Sequence, residues 1–419
     1  MNKRDFLKTF GPAAIGSPFL SLDSSSNHKF EDYSKRNNLS ETDFWKKIRE
    51  DYTLKKDYIN LENGYYCIVP NPTLNNFITH VKKINIEGSY YMRNNRDMDN
   101  KRIEARLANF LNCSPEELVV TRNTTESLDL IIGGFPWKKG DEAIYAKQDY
   151  GAMQQMFKLV SKRHGVVNKV VSVPNHPNDD DEIVKLYEDQ ITSKTKLIMV
   201  CHMVNITGHI LPIRKICDMA HKYGVEVMVD GAHCIGHFKV NISELNCDYY
   251  GSSLHKWLST PLGVGILYIS KNKVSKINPL LASHVHEQDN ILRLNHIGTH
   301  PVYTDLAIDN ALDYQEMIGT DRKENRLRYI QRYWSDRLRK IKNVVINTPI
   351  EEHKSCGIAN VGIKSMDPGK LAKILLDKYQ IFTVAINHEN VVGCRISPNV
   401  YTNEEDLEHF ISSIKELAV

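Results

Sequence analysis

Residues 196–233 read KLIMVCHMVNITGHILPIRKICDMAHKYGVEVMVDGAH. Two apolar runs, Lys196 to Cys201 and Val225 to Val229, flank a helical segment from Ile213 to Tyr223. A mostly apolar strand has no polar face to offer water, so strands of this kind belong to a sheet covered on both sides. The same alternation spreads outward in both directions. Arg102 to Asn112, Glu126 to Ile132, Ala152 to Arg163 and Glu182 to Ile191 read as helices, and Leu118 to Thr121, Glu142 to Ala146 and Val170 to Val173 as strands. The pattern predicts an α/β fold with a mainly parallel central sheet and helices on both faces. Such sheets bind ligands at the carboxyl ends of their strands.

From about Ala307 the chain changes character. Long charged helices cover Asp305 to Met317 and Arg322 to Lys342. Short strands follow near Val344 to Ile346, Gly357 to Val361, Ile381 to Ala385 and Val391 to Ile396, with helices at Pro368 to Tyr379 and Glu404 to Leu417. This predicts a smaller C-terminal α+β domain, residues 307–419, after a large domain at 71–306. Ser40 to Tyr52 reads as an amphipathic helix, and beyond Asn63-Gly64 another runs from Asn71 towards Glu87. Residues 28–70 are expected to form an N-terminal arm that packs with the small domain. Residues 1–27 have a basic start, a weakly apolar middle and a Ser/Asn run, the layout of an export signal. Lys3-Arg4-Asp5-Phe6-Leu7-Lys8 resembles a twin-arginine box with Lys at the first paired position. The expectation is periplasmic export; the alternatives are a disordered tail and a cytoplasmic protein.

Composition bounds the function. The 419 residues are 41% hydrophobic and 25% charged, which excludes a disordered chain, and 54 Lys plus Arg against 51 Asp plus Glu offer no basic field for nucleic acid. The apolar stretches, such as Leu197 to Val204, are too short to cross a membrane. Eight cysteines fall mostly in apolar runs with no Cys-x-x-Cys pair, so buried thiols are favoured over a disulfide or zinc framework.

Four signals carry chemistry. Leu118-Val-Val-Thr-Arg-Asn-Thr-Thr-Glu126 is a strand that ends in hydroxyls where a helix begins. Asn123 and Glu126 have capping-box spacing, while Thr124 and Thr125 add donors at a positive helix end, so the segment is either a plain cap or an anion site. Val225-Glu-Val-Met-Val-Asp-Gly-Ala-His233 delivers Asp230 at a strand end, where a carboxylate needs a cation or strong donor unless it merely caps the next turn. His233 reads as a site residue or a core histidine. Asp248-Tyr-Tyr-Gly-Ser-Ser-Leu-His-Lys-Trp257 places Lys256 among small residues, as a confined amine nucleophile or a salt-bridged lysine. Gly393-Cys-Arg-Ile-Ser397 sets Arg395 at the end of a late strand, with a fork suited to a carboxylate or simply at the surface.

Jointly these are more specific. A phosphate-type helix start, an Asp ending a strand about 105 residues later, and Ser-Ser-x-His-Lys with its lysine 26 residues beyond that Asp resemble the class V aminotransferase family of fold-type I pyridoxal phosphate enzymes. Thr-Arg-Asn-Thr-Thr-Glu, Asp-Tyr-Gly-Ala, Val-Asp-Gly-Ala-His and His-Lys-Trp resemble its isopenicillin N epimerase-like branch, over about residues 58 to 417. The resemblance implies that Lys256 is the Schiff-base lysine and that Asp230 pairs with the protonated pyridine nitrogen. It implies that Thr124, Thr125, Ser253 and His255 hold the phosphate, and that Tyr150 stacks on the ring. His233 would contact the ring hydroxyl, with Asn205 near the same edge. Gly298-Thr299 would reach the phosphate of a neighbouring subunit, which implies a homodimer, and Arg395 would grip the substrate α-carboxylate.

The expected activity is transamination or epimerisation at the α-carbon of an amino acid, or of an amino-acid unit in a small peptide. The alternative is a carbon–sulfur β-elimination lyase; a cofactor-binding protein without turnover is disfavoured by Lys256 and Asp230 together. Cysteine desulfurases of this class need a mobile-loop thiol shortly before the carboxylate-binding Arg, and Thr383 to Gly393 contains none. Cys394 should point to the opposite strand face from Arg395. An epimerase needs a second acid or base, for which Tyr65, Tyr66, Tyr90 and Tyr91 are candidates, although packing at a dimer interface is favoured for them. The Gly-Thr pair is often followed by Arg in that branch, whereas this chain has His300.

Overall fold

The structure is a computed structural model that describes residues 36, 38–282 and 287–419. The candidate export signal lies outside the described residues. Within 41–419 the strands are β1 (Ile59–Asn60), β2 (Leu118–Thr121), β3 (Glu142–Ala146), β4 (Val167–Val171), β5 (Thr195–Cys201), β6 (Glu226–Asp230), β7 (Tyr249–Ser253), β8 (Gly265–Ile269), β9 (Val344–Ile346), β10 (Ala359–Ile363), β11 (Ile381–Phe382), β12 (Val384–His388) and β13 (Val391–Ile396). Seven of them form the main sheet in the order β2-β8-β7-β6-β5-β3-β4. All neighbours are parallel except β8, which runs antiparallel to both β2 and β7. β3, β5 and β6 are buried at every residue but one, Lys196, and their apolar side chains divide between two hydrophobic clusters, one on each face of the sheet. That is the physical content of the apolar runs at 196–201 and 225–229.

The helices that matter for the site are α1 (Glu41–Glu50), α2 (Asn71–Glu87), α3 (Arg96–Leu111), α4 (Thr124–Gly134), α5 (Gly151–His164), α6 (Ile213–Lys222), α7 (Val302–Ile318), α8 (Thr320–Leu338), α9 (Pro368–Tyr379) and α10 (Glu404–Leu417). Their ends follow local chemistry. Asn123 caps α4 through its side chain, α9 begins with Pro after the Asp367 cap, and Asn403 with Asp406 forms a capping box on α10.

A second sheet, β12-β13-β10-β9, is antiparallel throughout. β1 pairs in parallel with β11, and Glu62 bridges to Ser397, so the chain just before the site is tied to its C-terminal part. α7 spans the expected domain boundary at 306/307; it lies against α2, where His80 Nε2 and Asn310 Oδ1 meet at 2.8 Å. All eight cysteines are free; seven are buried and Cys113 is partly so. Among the described residues no helix is long and apolar enough to cross a membrane.

Candidate active site

Strands β2, β5, β6 and β7 deliver their ends to one cleft of about 380 Å³. At one end lies the start of α4. The extended backbone of Asn123 (φ −175°) lets its side chain accept the Glu126 N–H at 2.9 Å. Thr124 donates its N–H to Ser253 Oγ at 2.9 Å, and the two hydroxyls meet at 2.7 Å. The N–H of Thr125 is left without a partner among the described residues. Arg122, whose position suggests an anion ligand, instead folds back so that its Nε and Nη2 each reach the Glu126 carboxylate at 3.1 Å. What remains for an anion is a helix end and hydroxyls. His255 lines the same cleft with a buried Nδ1 that has no hydrogen-bond partner, and burial pushes its pKa down to about 4. A buried polar atom without a partner is costly, and in the tautomer with the proton on Nδ1 the neutral ring could donate it to a bound oxyanion.

At the cleft's centre, Asp230 ends β6 and accepts the Ala232 N–H at 3.0 Å. Burial raises its pKa, against the lowering effect of that N–H and of Lys256. The residue between, Gly231, has to be glycine, since a Cβ there would lie 2.1 Å from Cζ of Tyr250. Lys256 sits in the turn after β7, its Nζ 2.9 Å from His233 Nε2. Trp257 donates its indole N–H to His233 Nδ1 at 3.3 Å. With Nδ1 accepting, the neutral ring carries its proton on Nε2 and presents it to Lys256, which must accept as a free amine. Burial moves the electrostatics in that direction: it lowers the Lys256 pKa from 10.5 to about 8, so that the free amine predominates above that pH, and holds His233 well below its ordinary value.

The remaining expected residues divide. Tyr150 (49% exposed) lines the cleft from the start of α5, and Asn205 lines it opposite. Thr299 does not line the cleft of its own chain; it is exposed, just before α7. His300 is engaged by Asp305 at 3.0 Å. Of the four candidate tyrosines only Tyr65 lines the cleft, while the Tyr91 hydroxyl donates to Asp99 at 2.8 Å, a packing role. Arg395 does reach the cleft, but the fork expected to be open for a substrate carboxylate is occupied by Glu62: Nη2 meets Oε1 at 2.5 Å and Nε meets Oε2 at 3.1 Å. Glu62 is the main residue that sequence reasoning missed. Cys201 is also in the lining, yet burial, and then Asp149, push its thiol pKa well up, so it stays protonated. Cys394 turns away, its thiol towards the Pro368 carbonyl at 3.6 Å.

The fold and this site define a class: an α/β protein with a lysine of lowered pKa, a strand-end aspartate and a helix-end cradle in one cleft. The family model "Aminotransferase class-V" matches residues 73–410, and the chain belongs to that family. It is 26% identical to the isopenicillin N epimerase of Amycolatopsis lactamdurans, over 75% of this chain and 83% of the other. It is 27% identical to a probable cysteine desulfurase of Halalkalibacterium halodurans, over 72% and 78%. Among solved structures, an apo cysteine desulfurase from Thermococcus onnurineus NA1 superimposes with a TM-score of 0.79 at 22% identity, covering 89% of this chain and 98% of that one. The fold is thus fold-type I, and the family's cofactor is pyridoxal phosphate. The residues present fit that group: the hydroxyl and helix-end cradle suits its phosphate, His255 with its unpartnered Nδ1 lines the same cleft, and a lysine amine and a carboxylate occupy it too.

Proposed function

We propose that this protein is a pyridoxal phosphate enzyme acting at the α-carbon of an amino acid, or of an amino-acid unit in a small peptide, by transamination or epimerisation. The observation that carries the reading is Lys256 Nζ, its pKa lowered by burial, held 2.9 Å from His233 Nε2 in the same cleft as Asp230 and the Thr124–Ser253 cradle. Bound there, the cofactor supplies an electron-accepting ring that stabilises negative charge left on a substrate carbon. Thr124, Thr125, Ser253 and His255 would hold its phosphate, and Tyr150 would pack on its ring. Asp230 would keep a proton on its ring nitrogen, and His233 would lie at its hydroxyl edge. Lys256 would hold it through Nζ, and the same amine would be the group that takes a proton from the substrate carbon. The partly enclosed cleft limits water around that transfer.

A second reading, β-elimination at a carbon–sulfur bond, is favoured by the likeness to the desulfurase of Halalkalibacterium halodurans. It would proceed without an enzyme thiol, since Thr383 to Gly393 lacks cysteine and Cys201 is held protonated. We further propose a homodimer in which Gly298-Thr299 completes the partner's phosphate site. The exposed Ile78, Ile86 and Tyr90, on and just after α2, supply apolar surface for such a contact.

The test is to incubate purified protein in deuterated water with a panel of amino acids and a keto-acid acceptor. Transfer of the amino group to the acceptor marks transamination, and α-deuteration without transfer marks epimerisation. Release of pyruvate, ammonia or sulfide marks the lyase. Lys256→Ala should abolish both turnover and the visible absorption of the bound cofactor; persistence of that absorption, or its absence from the wild type, defeats the reading.

A further inference from the structure

Glu62 is bound too well to be a bystander. Oε1 accepts from Arg395 Nη2 at 2.5 Å and from the Tyr65 N–H at 3.0 Å. Oε2 accepts from Arg395 Nε at 3.1 Å and from Ser397 Oγ at 3.3 Å. Both side chains are nearly removed from solvent, with 6% of Glu62 and 9% of Arg395 exposed. Nor can the backbone beneath them yield easily. Glu62 bridges to Ser397, and Asn63 donates its N–H to the Ser397 carbonyl at 3.2 Å. Gly64 lies flat against the guanidinium, where a Cβ would stand 2.5 Å from Arg395 Cζ.

The cleft has three cationic side chains in its lining: Arg122, Lys256 and Arg395. Arg122 is matched by Glu126 and Arg395 by Glu62, and Lys256 is the residue that the proposed function commits to the cofactor. A substrate carboxylate entering beside Arg395 would have to displace Glu62 or share one cation with it, and two carboxylates on one cation disfavour the doubly ionised state. What Arg395 still offers is its Nη1 edge, which carries one long contact, to the Asn205 carbonyl at 3.3 Å. A neutral carbonyl oxygen can take that edge at no electrostatic cost.

Building on the α-carbon reading above, we propose that Glu62 sets the charge of the substrate. The site takes an amine whose reacting carbon bears a neutral carbonyl group, an amino-acid unit with its carboxyl in amide, ester or peptide linkage, in preference to a free α-amino acid. Glu62 is a specificity-determining residue that acts through Arg395.

The test titrates the holoenzyme with matched pairs, alanine, glutamate and phenylalanine against their α-amides, at fixed pH. Binding is followed by the change in the visible cofactor spectrum, independently of turnover. The wild type should bind the better amide roughly tenfold or more tighter than its acid, and Glu62→Gln should move that ratio roughly tenfold towards the acid. Comparing ratios between the two enzymes cancels the different basicities of the amines. Glu62→Asp, which keeps the charge, should keep the amide preference. A wild type that prefers the acid, or a Glu62→Gln ratio unchanged within about twofold, overturns the proposal and leaves the α-carbon reading standing. Where Glu62→Gln yields no soluble holoenzyme, the wild-type order alone decides. If no member of any pair perturbs the spectrum, the α-carbon reading falls and this proposal with it.

Discussion

The protonation of Lys256 can be measured directly. Burial lowers its pKa from 10.5 to about 8, and the carboxylate of Asp230 holds it from falling further. At pH 7 an amine of pKa 8 is roughly 10% neutral and one of pKa 10.5 roughly 0.03%, about a 300-fold difference in nucleophile. Competitive labelling of the cofactor-free protein with trace acetic anhydride across pH 6–11, read by peptide mass spectrometry, reports each lysine's midpoint. Lys256 should titrate near 8, ahead of exposed lysines such as Lys185, whose pKa is raised by its bond to Asp189. Asp230→Asn should shift the midpoint lower still. The same displacement has a stability consequence. Between pH 8 and 10.5 the unfolded chain keeps a proton on Lys256 that the folded chain has released, so stability rises with pH over that window and the burial penalty is complete below it. A shift of this size corresponds to at most about 3 kcal/mol, less whatever solvent reaches the partly buried amine. Lys323, buried with Nζ on the Trp257 carbonyl at 2.6 Å and also lowered to about 8, adds to the same slope. A Lys256 midpoint above about 9.5, or an Asp230→Asn midpoint that rises, refutes the assignment of a free amine bonded to His233.

Three further outcomes follow from single contacts. Ser253→Ala removes the partner of both the Thr124 N–H and hydroxyl, and it should weaken cofactor retention by about 1–2 kcal/mol, roughly tenfold in the dissociation constant measured by spectral titration. Gly64→Ala drives a methyl into the Arg395 guanidinium; it should cost about 1–3 kcal/mol in a urea melt, with less than 0.5 kcal/mol counting against the packing argument. For residues 1–27, replacing Lys3 and Arg4 with Gln should retain an exported protein in the cytoplasm; equal periplasmic recovery of both forms in cell fractionation rejects the twin-arginine reading.

Much of the fold was legible because its signals are local. α2, α9, α10 and β13 occupy the same spans in sequence and structure, since Pro starts, capping residues and apolar periodicity act within a few positions. β7 carries little local strand signal, since Gly251-Ser252-Ser253 is small and polar where strands are usually β-branched or aromatic. Its hydroxyls are satisfied only in three dimensions, Ser252 on the Gly231 carbonyl at 2.7 Å and Ser253 on Thr124. The edge strand β4 falls three residues earlier at its start than expected, at Val167 instead of Val170; Val167 and Val170 are both exposed, so burial gives the register no anchor there. The cleft's Lys256, Asp230, His233 and Thr124 were legible because a strand end or helix start declares each. Glu62 had no such signal. It is 333 residues from Arg395 along the chain, and only the β1–β11 pairing and the bridge to Ser397 bring the two together.

That distant pairing changes how the near-neutral composition bears on the site. With 54 basic and 51 acidic side chains there is no global field to draw in anions, so each has to be met locally. The obvious local answer would be the arginines at the cleft, yet Arg122 and Arg395 are both neutralised by carboxylates of the same chain. On the proposed reading the cradle at α4 would therefore meet an anion through the helix end and hydroxyls, which demand correct placement, where a bare cation would attract any negative group. The carboxylate of Glu62, fixed beside Arg395, then makes charge at the reacting carbon the property on which substrates are sorted.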